Sequence, residues 1–195
     1  MDFTKTAKKL AENGFVVSRF ARAEEAAAHL ENSIKGEVIG FGGSITLKAM
    51  ALDQRLAGNN QIIWHWINPD DRARFPEFTA YITSVNALAE TGELINIDGA
   101  GNRVAASLFG PKKVYFVVGI NKLRSDLASA IDRARNIASP LNAKRLDKAT
   151  PCVKDLRCHD CRAKERICGS IVIHMRPMQG ATHTEVVLID EELGY

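Results

Sequence analysis

The sequence predicts an α/β fold with a largely parallel central sheet, and three observations lead to this prediction. Helix and strand signals alternate through the first two thirds of the chain, an order that builds parallel sheets. A continuous apolar run, Val114 to Gly119, is typical of a strand covered on both faces. The length of 195 residues predicts a single domain over residues 1–195, in which a cysteine-rich segment, 150–169, precedes the last two strands.

Three amphipathic helices are predicted within the first 58 residues. Apolar residues recur at helical spacing in each of them, and Gly14, Gly36 and Gly58 mark their ends. A short apolar strand at residues 38–41 separates the second helix from the third, and residues 61–66 form the next strand.

The pattern changes from residue 81 and predicts an antiparallel excursion. Residues 81–92 indicate a strand that leads into a turn. Residues 93–98, the glycine turn at 99–102 and residues 103–109 follow the pattern of strand, turn and strand, which predicts a hairpin.

A long helix is predicted from about Leu123 to Ser139. Pro140 is expected to end it, because proline cannot donate a backbone hydrogen bond. After the cysteine-rich segment, residues 169–175 and 184–190 form the last two strands on either side of a turn.

All cysteines of the chain fall in one short stretch with the spacing C-x5-C-x2-C-x6-C: Cys152, Cys158, Cys161 and Cys168. Thiolates bind soft and borderline metals, and the CxxC pair lets one turn present two sulfurs to one ion. The cluster therefore predicts a bound metal. Unmetallated or redox-active thiols are the alternative, whereas disulfides are less favoured in a chain long enough to bury its own core.

Positive charge is concentrated around the cysteines. Residues 112–166 hold 14 Lys and Arg against 6 Asp and Glu, a net +8, whereas the whole chain carries only +3. This charge would stabilise thiolates or attract an anionic substrate or acidic partner, and the alternative is a solvated basic face. Nucleic acid is not expected as a partner, because the segment lacks interleaved aromatic residues.

The start of the chain indicates an amphipathic helix rather than a secretion signal. No apolar run approaches the length of a membrane span. We therefore expect no membrane span and a cytoplasmic, reducing location.

A glycine-rich loop follows the strand at residues 38–41 and precedes a helix. Its glycines allow the backbone to approach an anion, while Ser44 and Thr46 supply donors. A small anionic ligand such as a phosphate or carboxylate is the expected partner. The loop matches neither GxGxxG nor the Walker pattern, and the alternative is a tight turn in which Ser44 caps the helix.

Two further segments are candidates for chemistry. Glu90 lies at a predicted strand end before Thr91 and Gly92, where it could act as acid, base or nucleophile. Arg103 follows a glycine turn that could direct it to an anion. The alternatives are a solvated turn glutamate and a surface arginine.

Six motifs occur in a fixed order along the chain: GGSITL, AETGELINIDGAGNR, VYFVVGINKL, SPLNAKRL, PCVKDLRCHDCRAKERIC and EELGY. Together they resemble the LUD-domain family, whose members are often labelled lactate-utilisation proteins, over almost the whole chain. The resemblance implies a three-layer α/β fold with helices on both faces of the sheet, similar to ribose-5-phosphate isomerase, glucosamine-phosphate deaminase and CoA-transferases.

The resemblance also implies roles for individual residues. Gly42, Gly43, Ser44 and Thr46 would correspond to the anion-binding loop of that fold group. Glu90, Thr91 and Gly92 look like the segment that supplies the nucleophile in some CoA-transferases, although Thr91 stands where asparagine is usual there.

Family members linked to lactate oxidation act beside iron–sulfur partner subunits. The resemblance therefore implies a subunit or accessory in oxidation of lactate or a related small organic acid, with an anionic ligand at the glycine loop and an iron–sulfur cluster or zinc at the cysteines. No flavin or nicotinamide motif is present, so a complete lactate dehydrogenase is not expected. The ligand site is expected to lie apart from the cysteines.

Two other functions remain open. One is a stand-alone isomerase, acyl-transfer enzyme or cyclo-ligase that acts on a phosphorylated or carboxylated substrate through Glu90. The other is a module that senses redox state through reversible thiol chemistry.

Overall fold

The computed structural model describes residues 2–195, where ten strands form two sheets. In chain order the strands are β1 (Val16–Phe20), β2 (Val38–Phe41), β3 (Gln61–Ile63), β4 (Ala80–Thr83), β5 (Ala87–Ala89), β6 (Leu94–Asp98), β7 (Lys113–Gly119), β8 (Leu123–Arg124), β9 (Ser170–His174) and β10 (His183–Ile189).

Eight α-helices lie in the same described part of the chain: α1 (Thr4–Glu12), α2 (Ala23–Ser33), α3 (Ile45–Ala49), α4 (Leu52–Leu56), α5 (Asn102–Leu108), α6 (Leu127–Arg133), α7 (Ser139–Arg145) and α8 (Cys152–Asp155). A turn of π-helix, Ala134–Ala138, joins α6 to α7, and short 3-10 segments span Pro69–Glu77 and Ile120–Lys122. None of the helices found between residues 2 and 195 is long and apolar enough to cross a membrane.

The six-stranded sheet is parallel throughout and has the order β1-β10-β7-β4-β2-β3. β7 lies in its interior, and successive residues of this strand face opposite sides. Phe116 and Val118 pack against one face, whereas Tyr115 and Val117 pack against the other. Burial on both faces explains the continuous apolar run, and the predicted α/β class is confirmed.

Helices cover both faces of this sheet. α2, α3 and α4 pack on one face, where Leu30, Leu47 and Leu52 are fully buried. α1 packs on the opposite face through Phe3 and Leu10, which are also fully buried.

A second, mixed sheet of four strands packs on the same face as α1, in the order β8-β5-β6-β9. Leu88 and Leu94 point toward the first sheet, while Ala87 and Ile95 pack against Ala130 of α6. The second sheet is therefore enclosed between the first sheet and the long helix. The predicted antiparallel excursion is real, but its hairpin is β5–β6.

The predicted strand at residues 103–109 is wrong, because α5 occupies this segment. Gly101 has a φ of +81°, and its N–H donates to Asp98 Oδ1 at 2.7 Å, so the chain turns from β6 directly into a helix. Val104 and Ser107, three positions apart, are both buried. A seven-residue apolar segment of this kind fits either a helical or a strand pattern.

The prediction that Pro140 ends the long helix is also wrong, because α7 continues to Arg145. At the π turn, Ser139 donates both its N–H and its hydroxyl to the carbonyl of Ala134, the hydroxyl at 2.8 Å. The wider turn admits Pro140 at the first turn of α7, where a missing N–H costs least.

Smaller differences concern element bounds. The third predicted helix is divided into α3 and α4 by Ala51, which has a φ of +48°. The sequence pattern did not predict β1, and the strand predicted at 61–66 ends at Ile63. Leu123, expected to start the long helix, lies in β8, and β9 and β10 belong to different sheets.

Glu185 is a buried carboxylate on β10 that three side chains contact. Ser18 Oγ donates to it at 2.7 Å, and the Nε2 atoms of His29 and His183 lie 2.8 and 3.2 Å from its oxygens. Burial acts to raise the pKa of Glu185, but these hydrogen bonds outweigh it and hold the pKa below its ordinary value.

We expect Glu185→Gln to lower the free energy of unfolding at neutral pH by about 1–3 kcal/mol, because three donors lose a charged acceptor. Since the folded pKa lies below the unfolded one, this stabilisation is present above the unfolded pKa and is lost as pH falls through the folded pKa.

Urea denaturation at a series of pH values measures this difference, which should shrink toward acid pH. Glu12→Gln, on the exposed side of α1, is the control and should leave stability unchanged within error. A Glu185→Gln effect that stays constant down to acid pH would contradict the assignment.

Candidate functional site

Several loops meet where the parallel strands end. Because the carboxyl ends of parallel strands lie at one edge of a sheet, the segments after β2, β4, β7 and β10 converge there. Between them lies a cavity of about 470 Å³, here called the cationic cavity. Six cationic side chains line it: Arg72, Arg103, Lys122, Arg145, Lys148 and Arg166.

The carboxylates that line the cationic cavity are Asp98 and Glu165, and both have partners. Asp98 Oδ2 accepts a hydrogen bond from Arg103 Nε at 3.2 Å, and Glu165 accepts from the backbone N–H of Ala149 at 2.9 Å. The cavity as a whole therefore carries positive charge, which favours an anion.

Lys122 lies at the base of the cationic cavity and is only 2% exposed. It follows β7, at the point where the chain leaves the first sheet for the second. Its Nζ donates to Thr46 Oγ1 at 2.8 Å and to Ser84 Oγ at 2.7 Å. Burial, followed by the nearby charges of Arg133 and Arg103, holds the pKa of Lys122 well below its ordinary value.

The glycine loop contributes to the cationic cavity in part. Gly43, Ser44 and Thr46 line it. Gly42 does not, and its N–H donates to Ile82 O at 2.9 Å, while a Cβ there would lie 2.5 Å from Thr83 Oγ1. Close packing thus explains Gly42, and its predicted ligand contact stays a prediction.

Ser44 also caps a helix, which is the alternative that the sequence pattern left open for this loop. Its hydroxyl accepts a hydrogen bond from Leu47 N at 3.3 Å, and the helix it caps, α3, has only five residues. The donors of the loop are therefore partly used within the protein, which leaves the cationic side chains as the main attraction for an anion.

Arg103 lies in the cavity wall, but most of its donors are used internally, and its predicted contact with a ligand stays a prediction. It donates to Asp98, to the side-chain oxygens of Asn96 and Asn86, and to Ile97 O. This network fixes the loop that follows β6. Arg103 therefore shapes the cavity and contributes its charge. Most of its guanidinium N–H groups already donate hydrogen bonds within the protein.

Glu90, Thr91 and Gly92 are not brought to the cationic cavity. They follow β5, which belongs to the second sheet, and the N–H of Glu90 donates to Arg124 O at 2.8 Å. Gly92, at φ +100°, packs against α1, where a Cβ would lie 2.8 Å from Asn13 Nδ2. Gly92 thus has a packing role, and the predicted catalytic role of Glu90 stays a prediction without support from this geometry.

The C-terminal segment covers the glycine loop. Thr46 Oγ1 donates to Leu193 O at 3.1 Å, Asn121 bonds to the backbone of Leu193 and Gly194, and Tyr195 lines the cationic cavity. A Cβ on Gly194, which has a φ of +64°, would lie 2.6 Å from Thr46 Oγ1. The EELGY motif is therefore a wall of the site.

The four predicted metal ligands line a second cavity, of about 280 Å³, here called the cysteine cavity: Cys152, Cys158, Cys161 and Cys168. All four thiols are free and half-buried. Two residues with positive φ, Leu156 at 58° and Asp160 at 45°, lie on either side of Cys158. Such backbone conformations are costly for residues other than glycine and tend to mark functional loops.

Donors surround the sulfurs of the cysteine cavity. The N–H of Asp160 lies 3.5 Å from Cys158 Sγ, and Arg135 Nη2 lies 3.9 Å from the same sulfur. Thr150 Oγ1 lies 3.3 Å from Cys152 Sγ. Burial raises the pKa of the Cys168 thiol, which does not favour a reactive redox-sensing thiolate at that position.

The four thiols of the cysteine cavity are the predicted metal ligands. Within residues 2–195, no group of three or more His, Cys, Asp or Glu side chains is placed to hold a single metal ion. Zn–S bonds are about 2.3 Å long, so four sulfurs around one zinc lie close together. A metal centre at the four thiols, an iron–sulfur cluster or zinc, therefore stays a prediction.

The two cavities share a wall. Ile97, Ser139, Arg166 and Ile167 line both of them. Arg166 donates to the carbonyl oxygens of Cys161 at 2.6 Å and Cys168 at 2.9 Å. The fold therefore places the two cavities side by side, and the expectation that the ligand site lies apart from the cysteines stays a prediction.

Comparison with known proteins gives the family. The sequence model of the LUD domain family, described as "LUD domain", matches residues 3–189. The chain belongs to this family. A comparison with curated proteins found no match.

Two of the solved structures that match this LUD domain illustrate the likeness. The crystal structure of a DUF162 family protein from Deinococcus radiodurans matches with a TM-score of 0.57 and 13% identity, over 95% of this chain and 94% of that one. eIF2B beta from Chaetomium thermophilum matches with a TM-score of 0.38 and 18% identity, over 55% of this chain and 44% of that one. The first comparison supports the fold.

Lys122 and Ser84 are among the site residues of this LUD domain that the sequence did not indicate as candidates, as are Arg72, Arg145, Lys148 and Arg166. Neither Lys122 nor Ser84 belongs to a spacing pattern, and both acquire their position only when β4 and β7 pair. One signal was present: a lysine three residues after the most apolar strand must lie at the carboxyl edge of the sheet.

Gly194→Ala is expected to disturb this LUD domain at the contact between its last residues and the glycine loop. The added Cβ meets Thr46 and the positive φ disfavours alanine, so we expect a loss of about 1–2 kcal/mol in the free energy of unfolding. Urea denaturation measures this loss. Gly180→Ala, where a Cβ meets nothing within 4 Å, is the control, and equal stability of the two variants would contradict the assigned contact.

Proposed function

We propose that this LUD domain is a subunit or accessory in the oxidation of lactate or a related small organic acid. In this proposal it binds the small organic anion in the cationic cavity and carries a metal centre in the cysteine cavity. The observation that carries the proposal is the placement of a positively charged cavity directly beside four clustered thiols.

The charge and size of the cationic cavity suit a small carboxylate. Besides the buried Lys122, five Lys and Arg side chains among residues 2–195 line it against two side-chain carboxylates, and both carboxylates have partners. Its volume of about 470 Å³ lies within the range of small-molecule sites. Arg145, held over the ring of Trp66 at 4.8 Å and bonded to Asn142, is placed to contact such an anion.

The metal centre would be held by the four cysteines, with an iron–sulfur cluster as the favoured group and zinc as the alternative. An iron–sulfur cluster supplies one-electron transfer when bound. The contacts of Arg135 and of the Asp160 N–H with Cys158 are of the kind that tune cluster potential. The shared wall provides a short connection between the bound acid and the thiols.

The partner would be an iron–sulfur redox subunit with an acidic docking face. The exposed outer side of the cysteine-rich segment is basic, with Lys154, Arg157, Arg162 and Lys164 in solvent. Opposite charges would steer such a partner to the side of the domain where the thiols lie.

Arg145→Gln is expected to weaken binding of a small carboxylate about tenfold, because a charged hydrogen bond contributes about 1.5 kcal/mol. Lys144→Gln is the matched control, since it removes the same charge from the adjacent position of α7, which does not line the cavity. Calorimetric titration with lactate and pyruvate measures both. Equal loss in the two variants, or no binding to the wild type, would contradict the anion site.

Each single Cys→Ser substitution at the four positions is expected to reduce the bound metal below half of the wild-type level. The measurement is iron, sulfide and zinc content after anaerobic purification, together with the absorbance spectrum. Because the chain has no other cysteine, serine at one position leaves only three thiolates. Wild-type protein without near-stoichiometric iron, sulfide or zinc would contradict the metal centre and favour free thiols.

A further inference from the structure

The amino group of Lys122 has two hydrogen-bond acceptors, and both are hydroxyls whose own protons are used elsewhere. Thr46 Oγ1 donates to Leu193 O at 3.1 Å, and Ser84 Oγ donates to Val117 O at 2.6 Å. Each hydroxyl can therefore accept a hydrogen bond from Lys122 but has no proton left to donate to the amine. A neutral amine in this position donates both of its N–H groups and keeps its lone pair free.

The surroundings of Lys122 disfavour the charged ammonium form. It makes no ion pair with any carboxylate among residues 2–195, and Asp98, a carboxylate of the same cavity, is bonded to Arg103. Burial is the largest cause of its lowered pKa, and the guanidinium groups of Arg133 and Arg103 act in the same direction. A desolvated lysine near other cations is the usual form of an activated amine nucleophile.

We propose that Lys122 is a nucleophile that forms an imine with the carbonyl carbon of a 2-oxo acid bound in the cationic cavity. The 2-oxo acid is the product class that oxidation of a 2-hydroxy acid yields, so this inference rests on the proposed function and names the chemistry of the same site. The cationic side chains hold the carboxylate, and the buried amine faces the carbonyl next to it.

The step balances without an oxidant or reductant. The lone pair of Nζ forms a bond to the carbonyl carbon, the carbonyl π electrons move to oxygen, and a proton passes from nitrogen to that oxygen. The resulting carbinolamine takes up one further proton from solvent and loses its oxygen as water. The product is a protonated imine and one molecule of water. Before the attack, the hydroxyl oxygens of Thr46 and Ser84 accept hydrogen bonds from the amine and hold it in position.

Reductive trapping tests the proposal on the full-length protein as purified. Pyruvate is added at neutral pH with cyanoborohydride, which delivers hydride to the imine carbon and fixes a secondary amine. Intact mass and peptide mapping then locate the adduct. We expect one adduct per chain, on Lys122, formed at least tenfold faster than on any other lysine, and none with lactate, which has no carbonyl.

Two variants sharpen the result. Lys122→Arg keeps N–H donors at this position but has no amine able to form this adduct, so trapping should be lost. Lys144→Arg, on the exposed end of α7, should trap at the wild-type rate. The peptide map of the wild-type protein decides the question even if Lys122→Arg does not fold.

Binding and labelling of pyruvate, measured separately, distinguish a failure of the imine proposal from a failure of the proposed function. If pyruvate binds but labels Lys122 no faster than the surface lysines, the imine proposal is overturned and the anion site stands. If pyruvate and lactate do not bind at all, both fail. Fast labelling confined to another lysine would also overturn the assignment.

Discussion

Chain segments that follow four different strands meet at the amino group of Lys122. The lysine follows β7, its acceptors Thr46 and Ser84 follow β2 and β4, and Leu193, which fixes Thr46, follows β10. This convergence depends on the parallel sheet, because only parallel strands bring all their carboxyl ends to one edge. The sheet in turn depends on burial of both faces, which α2 to α4 provide on one side and α1 with the second sheet on the other.

The second sheet and the long helix extend the same edge outward. β6 leads into the loop of Asp98 and Arg103, and the long helix carries Ser139 and Arg145 to the opposite wall of the cationic cavity. The cysteine-rich segment follows α7 and folds back over this wall, where Arg166 binds the carbonyl groups of two cysteine residues and lines both cavities. The anion site and the thiols are therefore parts of one region, with a shared set of side chains between them.

The sequence predicted those features that local patterns determine: the α/β class, the apolar strand β7, the four clustered thiols and the glycine loop. It mispredicted residues 103–109 and Pro140, because a short apolar segment fits two periods and a π turn can admit a proline. It named Glu90 as a catalytic candidate from its position at a strand end, and the fold places that strand, β5, in the second sheet. Lys122 was missed because its burial and partners arise only from tertiary packing.

Lys122 is a buried amine without a carboxylate partner among residues 2–195, and its titration is the most direct measurement of that state. Heteronuclear NMR of protein labelled at the lysine side-chain carbons follows each amine with pH, and Lys122→Met assigns the signal. We expect Lys122 to titrate well below the ordinary lysine pKa of about 10.4 and separately from the surface lysines. Titration of Lys122 together with the surface lysines would contradict it.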